Sequence, residues 1–252
     1  MAKKTKKLMK KGKRLDGRKP DEIRPIKIKA GYTKRADGSA YLEWGGNKVA
    51  ASVHGPRTCY PQHERSPYKA RIKYKYKLAP FSVDERTHPA PSRRDKEISK
   101  VSAEALEEVV FTQYFPETTI DIYTTILQAA AGTRVAALSA ASVALADAGI
   151  PMKDLVTACA AGKIEGKVVL DLDQDEDQMG QADLPIAYIP HSDEITLMQM
   201  DGDLTTEEYK EALDLAVDGC MQVYEEQKNA LKDKYKHLEE DNTGKNTEED
   251  KK

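Results

Sequence analysis

From Arg71 to Leu78 the chain alternates at every step, with Ile72, Tyr74, Tyr76 and Leu78 on one face and Arg71, Lys73, Lys75 and Lys77 on the other. A period of two predicts a half-buried strand with a basic outer face. Weaker forms of the same pattern flank it. Ile23, Ile26 and Ile28 begin a strand, Asp37-Gly38 is a hairpin turn signal, Ala40 to Trp44 reads as the return strand, and Gly45-Gly46-Asn47 leads into another at Lys48 to His54. Thr119 to Leu127 is rich in β-branched residues and reads as a strand. Leu155 to Ala161 and Ile164 to Leu172 read as two strands joined at Gly162, and Pro185 to Ile189 with Glu194 to Met200 as a final pair. Trp44, the only tryptophan, is assigned to the core.

Three stretches change to the helical period. About Asp95 to Tyr114 places Ile98, Val101, Ala105, Val109 and Val110 on one face. Val135 to Ala148 is small and apolar on every side, which predicts a buried, closely packed helix, and it stops at Gly149-Ile150-Pro151. Thr205-Thr206-Glu207-Glu208 is a capping-box pattern opening a helix to about Tyr235, with Tyr209, Leu213, Ala216, Val217, Cys220 and Tyr224 on its apolar face. Grouped strands, two mid-chain helices and a long terminal one predict a mixed α/β architecture in a single domain.

Composition adds the ends. The 252 residues are 39% hydrophobic, enough for a core, and the net charge of -2 hides a segregation. The first fourteen residues carry eight Lys or Arg and no acid, and from about Glu239 no apolar residue appears. This predicts a flexible basic leader at 1–13, a folded domain at 14–236 and a disordered polar tail at 237–252. Cys59, Cys159 and Cys220 are odd in number and widely spaced, which supports neither a disulfide framework nor a zinc site and suits buried thiols in the cytoplasm. No run of eighteen apolar residues occurs, so no membrane partner is expected. The histidines form no catalytic grouping that spacing reveals.

Three stretches carry candidate chemistry. Asp171 to Asp183 holds five aspartates and a glutamate directly after the apolar Val168-Val169-Leu170. Like charges so close repel unless something positive sits among them. The EF-hand register fails, because counting from Asp171 the sixth residue is Glu176 and the twelfth Ala182. Magnesium or manganese fits better, taking one or two carboxylates and completing its shell with water and phosphate; a solvated acidic loop is the alternative. Arg93 and Arg94, at the mouth of a helix after a proline-rich loop, suit bidentate phosphate contact or serve only as solubilising charge. Gly132, Thr133 and Arg134 stand at the start of the alanine-rich helix, as an anion site or as an ordinary threonine cap. The three together favour phosphoryl chemistry on a polyanion.

Several motifs, in order, carry a resemblance. Arg14-Leu-Asp-Gly-Arg18, Asp21-Glu-Ile-Arg-Pro-Ile26, Ala79-Pro-Phe-Ser82, Asp84-Glu-Arg86, Pro91-Ser-Arg-Arg94, Ala131-Gly-Thr-Arg134, the run Ala144 to Met152 and Glu176-Asp-Gln-Met-Gly-Gln-Ala-Asp183 resemble the ribonuclease PH family, most of all the catalytic exosome subunits of archaea, over about residues 14 to 235. The resemblance implies the α+β ribonuclease PH fold, mixed sheets with packed helices. It also implies a phosphorolytic exoribonuclease, in which inorganic phosphate attacks the last phosphodiester of RNA and releases a nucleoside diphosphate, reversibly. By motif, Arg93 and Arg94 hold the RNA backbone, and Gly132, Thr133 and Arg134 bind the attacking phosphate. Asp177 and Asp183 hold magnesium or manganese, Asp177 also protonating the leaving 3′ oxygen. Asp171, Asp173, Asp175 and Glu176 are left to end the strand. The implied partners are single-stranded RNA, an inactive paralogue alternating with this chain in a hexameric ring of three heterodimers, and RNA-binding cap proteins.

Two rivals belong to other classes. A non-catalytic ring subunit of the same fold is expected to lack the acidic pair or the phosphate-site arginine, whereas Arg134, Asp177 and Asp183 are all present here. A hydrolytic two-metal nuclease would leave the Gly-Thr-Arg site without a role.

Overall fold

The computed structural model describes residues 8–10 and 13–249, with the side chains of 10 and 237–249 excepted. Two short strands, β1 (Met9–Lys10) and β2 (Lys13–Arg14), pair with each other. The first large sheet contains β3 (Ile26–Ala30), β4 (Gly38–Trp44), β5 (Asn47–Thr58), β6 (Arg71–Leu78) and β7 (Thr118–Gln128) in the order β3-β4-β5-β7-β6. Among the described strands only β6 and β7 pair in parallel, and the connection between them carries α1 (Arg93–Glu107). The alternation of β6 appears as expected, with Ile72, Tyr74 and Tyr76 buried.

After α2 (Thr133–Asp147) comes the second sheet, with β8 (Thr157–Ile164), β9 (Lys167–Leu170), a short α3 (Gln174–Met179), β10 (Ala182–Ile189), β11 (Glu194–Met198) and β12 (Asp201–Gly202). Its order is β11-β10-β8-β9, with β12 on β10. The long α4 (Thr206–Glu249) closes the chain and packs on β8, β9, β10 and β3. One apolar core runs through both sheets, and α2 lies between them, touching β4 and β5 on one side and β8 on the other. That sandwich explains a helix of alanine, valine and leucine with no polar face. At Gly38 the approach is so close that a Cβ would lie 2.3 Å from the Ala144 carbonyl oxygen.

Tertiary contacts move several boundaries. The periodicity of α1 runs on past Glu107, yet Val109 and Val110 are buried by other means. Val110 bridges to Met152 and the Phe111 N–H donates to the Pro151 carbonyl at 3.1 Å, so the backbone leaves the helix to pair with a distant strand-like segment. Gly162 does not turn the β8–β9 hairpin; Glu165 and Gly166 do, both at positive φ. Gly162 lies inside β8, where a Cβ would meet the Ala182 carbonyl oxygen at 2.5 Å.

Both ends depart from expectation where they are described. Leu8 and Met9 are buried on Ile164, Val169 and Leu172, and the Leu8 N–H donates to Glu165 Oε1 at 2.7 Å, so this part of the basic leader is docked; residues 1–7, 11 and 12 lie outside the described residues. Apolar burial outweighs the lysines around it. At the other end the backbone of 237–249 continues α4, where composition predicts an unstructured tail, and Glu and Lys in that stretch are good helix formers.

The acidic stretch is largely answered by arginine. Asp171 is buried at φ 55 and accepts from Arg24 Nε at 2.9 Å, Arg24 Nη2 at 2.6 Å, the Arg24 backbone N–H at 2.8 Å and Trp44 Nε1 at 3.0 Å. Burial alone would raise its pKa, but the Arg24 guanidinium beside it holds the carboxyl below the usual range. Glu176 pairs with the buried Arg14 and accepts the Asp173 N–H at 2.8 Å, which sets the start of α3. These two acids are structural, and they do more than end a strand. Asp171→Ala would leave Arg24 buried without its counter-charge, at an expected cost of about 3–5 kcal/mol. Urea unfolding checks this; a loss below about 1 kcal/mol, the level of an exposed pair, would mean Asp171 is dispensable.

Candidate active site

A cleft of about 660 Å³ opens between the starts of α1 and α2 on one side and α3, β10 and β12 on the other. It is lined by Arg94 from α1, Gly132, Thr133 and Arg134 at the start of α2, Asp177 from α3, and Asp183 from β10. Six of the seven residues singled out by sequence therefore converge, although Arg94 and Asp183 are far apart along the chain. Arg93 does not line the cleft and is exposed one residue earlier.

Local chemistry sets each part. Ser92 caps α1, accepting the Asp95 N–H at 3.1 Å while Asp95 accepts the Ser92 N–H at 2.9 Å. This places both arginines inside the first helical turn rather than ahead of it. Ala131 and Gly132 are successive left-handed residues, φ 54 and 65, that turn the chain from β7 into α2. Thr133 is the first residue of the helix and not its cap; its buried hydroxyl accepts from Tyr76 at 2.8 Å. The first turn of α2, whose N–H groups lack intrahelical acceptors, thus lines the cleft at the positive end of the helix.

The turn itself is pinned from the first sheet. Asn47 Nδ2 donates to the Ala131 carbonyl at 2.5 Å, its Oδ1 accepts the Ala130 N–H at 2.6 Å, and Arg24 Nη1 donates to the Ala130 carbonyl at 2.5 Å. Sequence reasoning missed these supports, along with Tyr76, Glu97, Gln199 and Asp201. Nothing in their local spacing marks them, since each acts through a partner distant in sequence.

Electrostatics divide the cleft into a basic and an acidic side. On the acidic side Asp183 sits in register with Asp201 of β12. Burial first, then the neighbouring Asp177 and Asp201, push its pKa to about 7, against the lowering pull of Arg134 and Arg94. Asp177, Asp183 and Asp201 all line this side of the cleft. Among the described residues no group of three or more donor side chains could hold a metal alone. Two carboxylates with water and phosphate completing the shell match magnesium or manganese. On the basic side Arg134 lines the cleft, and its Nε–H is buried with no acceptor among the described residues.

The sequence profile of the RNase PH family, 3′ exoribonuclease domain 1, matches residues 22–151, and that of domain 2 matches residues 154–219. The chain belongs to the RNase PH family. The two matched parts correspond to the two sheets, and the cleft draws residues from both. Among RNase PH relatives, the exosome complex component Rrp41 of Methanopyrus kandleri is 62% identical over 224 residues, covering 89% of this chain and 94% of that one. The component of the same name from Thermococcus kodakarensis is 58% identical, covering 89% and 90%. In fold, rice Rrp46 aligns with a TM-score of 0.78 at 24% identity over 87% of this chain and all of that one. A chain of the Archaeoglobus fulgidus exosome with RNA bound to the active site aligns at 0.75 and 22% identity, over 84% and 92%. The α+β fold is therefore the RNase PH fold, and the activity is that of a phosphate-dependent 3′-to-5′ exoribonuclease.

Proposed function

We propose that this exoribonuclease performs phosphorolysis in the cleft between the helix starts and the second sheet, with Gly132, Thr133 and Arg134 binding inorganic phosphate and Arg94 meeting the 3′-terminal phosphodiester. The convergence of these residues with Asp177 and Asp183 in one cleft carries the reading. An oxygen of inorganic phosphate bonds to the terminal phosphodiester phosphorus, and the bond from that phosphorus to the penultimate 3′ oxygen breaks. The nucleoside diphosphate leaves and the shortened RNA takes a proton on its new 3′ hydroxyl. Two anions must approach one another, so the barrier is chiefly electrostatic, and Arg134, Arg94 and the α2 amino terminus offset it. Asp177, exposed on α3 at the cleft, is assigned delivery of the proton. Asp177 and Asp183 would hold magnesium or manganese, which when bound adds positive charge beside the reacting phosphate.

The chain is an exosome subunit that acts on RNA with ring partners. The finer arrangement we propose is a hexameric ring of three copies alternating with three of an inactive paralogue, with RNA-binding caps on one face, in the cytoplasm. The names of the relatives support the assembly, and three buried free thiols support the compartment. Among the described residues no helix is long and apolar enough to cross a membrane.

The test is to incubate the assembled protein with single-stranded RNA and magnesium, with and without phosphate, and to identify the products. Diphosphates released only with phosphate are expected; monophosphates without it would mean hydrolysis. Salt dependence tests the RNA track. Removing Arg93 and Arg94 together should lower the slope of log affinity against log salt by up to about 1.4, at roughly 0.7 per single-strand phosphate contact. Arg94→Ala should also slow the reaction, because Arg94 faces the cleft, whereas Arg93→Ala should affect binding alone. An unchanged slope in the double variant would make both arginines ordinary surface charge.

A further inference from the structure

The Arg134 guanidinium is held by two other side chains. Its Nη1 donates to Gln199 Oε1, its Nη2 donates to Glu97 Oε2 at 3.3 Å, and Gln199 Nε2 donates to Glu97 Oε1 at 2.7 Å, closing a three-residue ring. The members come from three places in the fold: Glu97 from α1, Arg134 from α2, and Gln199 from the chain just past β11, where its backbone N–H is tied to the Pro185 carbonyl at 3.1 Å. All three line the cleft.

Such a ring does little for stability. The Glu97 side chain is 42% exposed, and solvent screens an ion pair of that kind to a small contribution. What it restricts is motion. A free arginine would have to give up rotamer freedom when phosphate binds, whereas one already held has lost it on folding. The guanidinium is a planar fork whose donors have fixed directions, so fixing Nη1 and Nη2 from the protein side also fixes where the remaining N–H groups point. Gln199 directly follows β11 of the second sheet and is tied to Pro185 of β10, and the ring therefore registers the phosphate-binding helix against the sheet that carries Asp183.

We propose that Glu97 and Gln199 are positioning residues for phosphorolysis: by closing this ring they hold Arg134 in the orientation that receives inorganic phosphate. The inference rests on the reading of Arg134 as the phosphate ligand. Neither residue touches the reacting atoms; each acts through Arg134. Glu97 also brings a negative charge near an incoming dianion, and charge alone would give it the opposite role, that of a competitor which phosphate must displace. The two roles predict opposite changes in the Michaelis constant.

The experiment is steady-state phosphorolysis of single-stranded RNA by the assembled protein with magnesium, varying phosphate at saturating RNA and then RNA at saturating phosphate. Glu97→Ala and Gln199→Ala should each raise KM for phosphate about tenfold, the size of one lost charge-assisted hydrogen bond, with kcat and KM for RNA changing by less than about threefold. Because the ring is closed, the double variant should be hardly worse than the worse single one. Glu97→Gln, which keeps an acceptor and removes the charge, should restore most of the phosphate affinity. An unchanged or lowered KM for phosphate in the alanine variants, or equal losses for phosphate and RNA, would overturn the proposal. Arg134→Glu run alongside keeps the two readings apart. If it retains phosphate-dependent activity, the phosphate site itself is wrong; if it is inactive while Glu97→Ala and Gln199→Ala behave as the parent, only the positioning role fails.

Discussion

Arg134→Glu abolishes phosphate-dependent release of nucleoside diphosphates, lowering the rate by about a thousandfold or more. Loss of one preorganised donor at developing charge costs about a hundred- to a thousandfold, and a carboxylate in its place adds repulsion of the attacking dianion. The new charge would also stand beside Glu97 and near Asp183, which already feels Asp177 and Asp201. RNA binding should fall far less, since Arg94 and Arg93 remain. Arg134→Lys should lie between, keeping the charge and losing the fork. The check is product formation against phosphate concentration, with RNA affinity measured on the same preparation. Near-parental activity in Arg134→Glu would remove Gly132, Thr133 and Arg134 as the phosphate site.

The second large effect is the response of Asp183 to pH in protein stripped of divalent ions. Its folded pKa of about 7 lies above the ordinary value of 3.8. A raised value means that the folded state holds the proton more tightly than the unfolded one. The associated stability is fully present below about pH 4 and is lost as pH rises through about 7. At about 1.4 kcal/mol per pKa unit, the parent should lose a few kcal/mol relative to Asp183→Asn between pH 4 and pH 8. Magnesium should restore stability to the parent at pH 8, where the carboxylates are ionised, and should do little for the variant. Urea unfolding of both proteins, at fixed concentration with the ring partner and with chelator or magnesium, reads this directly. Parallel pH profiles with no response to magnesium would mean that the acidic side is no cation site. Catalysis should be lost in Asp183→Asn and Asp177→Ala alike; full activity in both would end their catalytic assignment.

Much of the fold was legible because burial imposes a period. β6 shows its alternation over the whole span Arg71–Leu78, since one face meets the core and the other meets water. α2 reads as buried because it is apolar all round, and it is in fact covered on opposite sides by two sheets. Where the reading went astray, a partner distant in sequence had intervened. Val109 and Val110 fit the helical period but pack from backbone that has left α1 for Met152 and Pro151. Gly162 resembled a turn residue because turns and close approaches both require glycine, and only the position of Ala182 distinguishes them. Leu8 and Met9 were hidden among lysines, and their burial depends on an apolar surface formed some 155 residues later, the separation of Leu8 from Glu165 being 157.

Residue order alone lays out the chemistry on offer: the Gly-Thr-Arg start of a buried helix, arginines at the mouth of another, and aspartates after an apolar strand. These follow from residue type and short-range spacing, which local sterics and burial express directly. Which acids are left to act depends on how the chain packs. Asp171 and Glu176 belong to the same run as Asp177, yet they are taken up by Arg24 and Arg14 from the opposite end of the chain, while Asp183 is left in the cleft with Asp177 and Asp201. A carboxylate's role depends on the charges within a few ångströms of it, and those distances are set when the sheets pack.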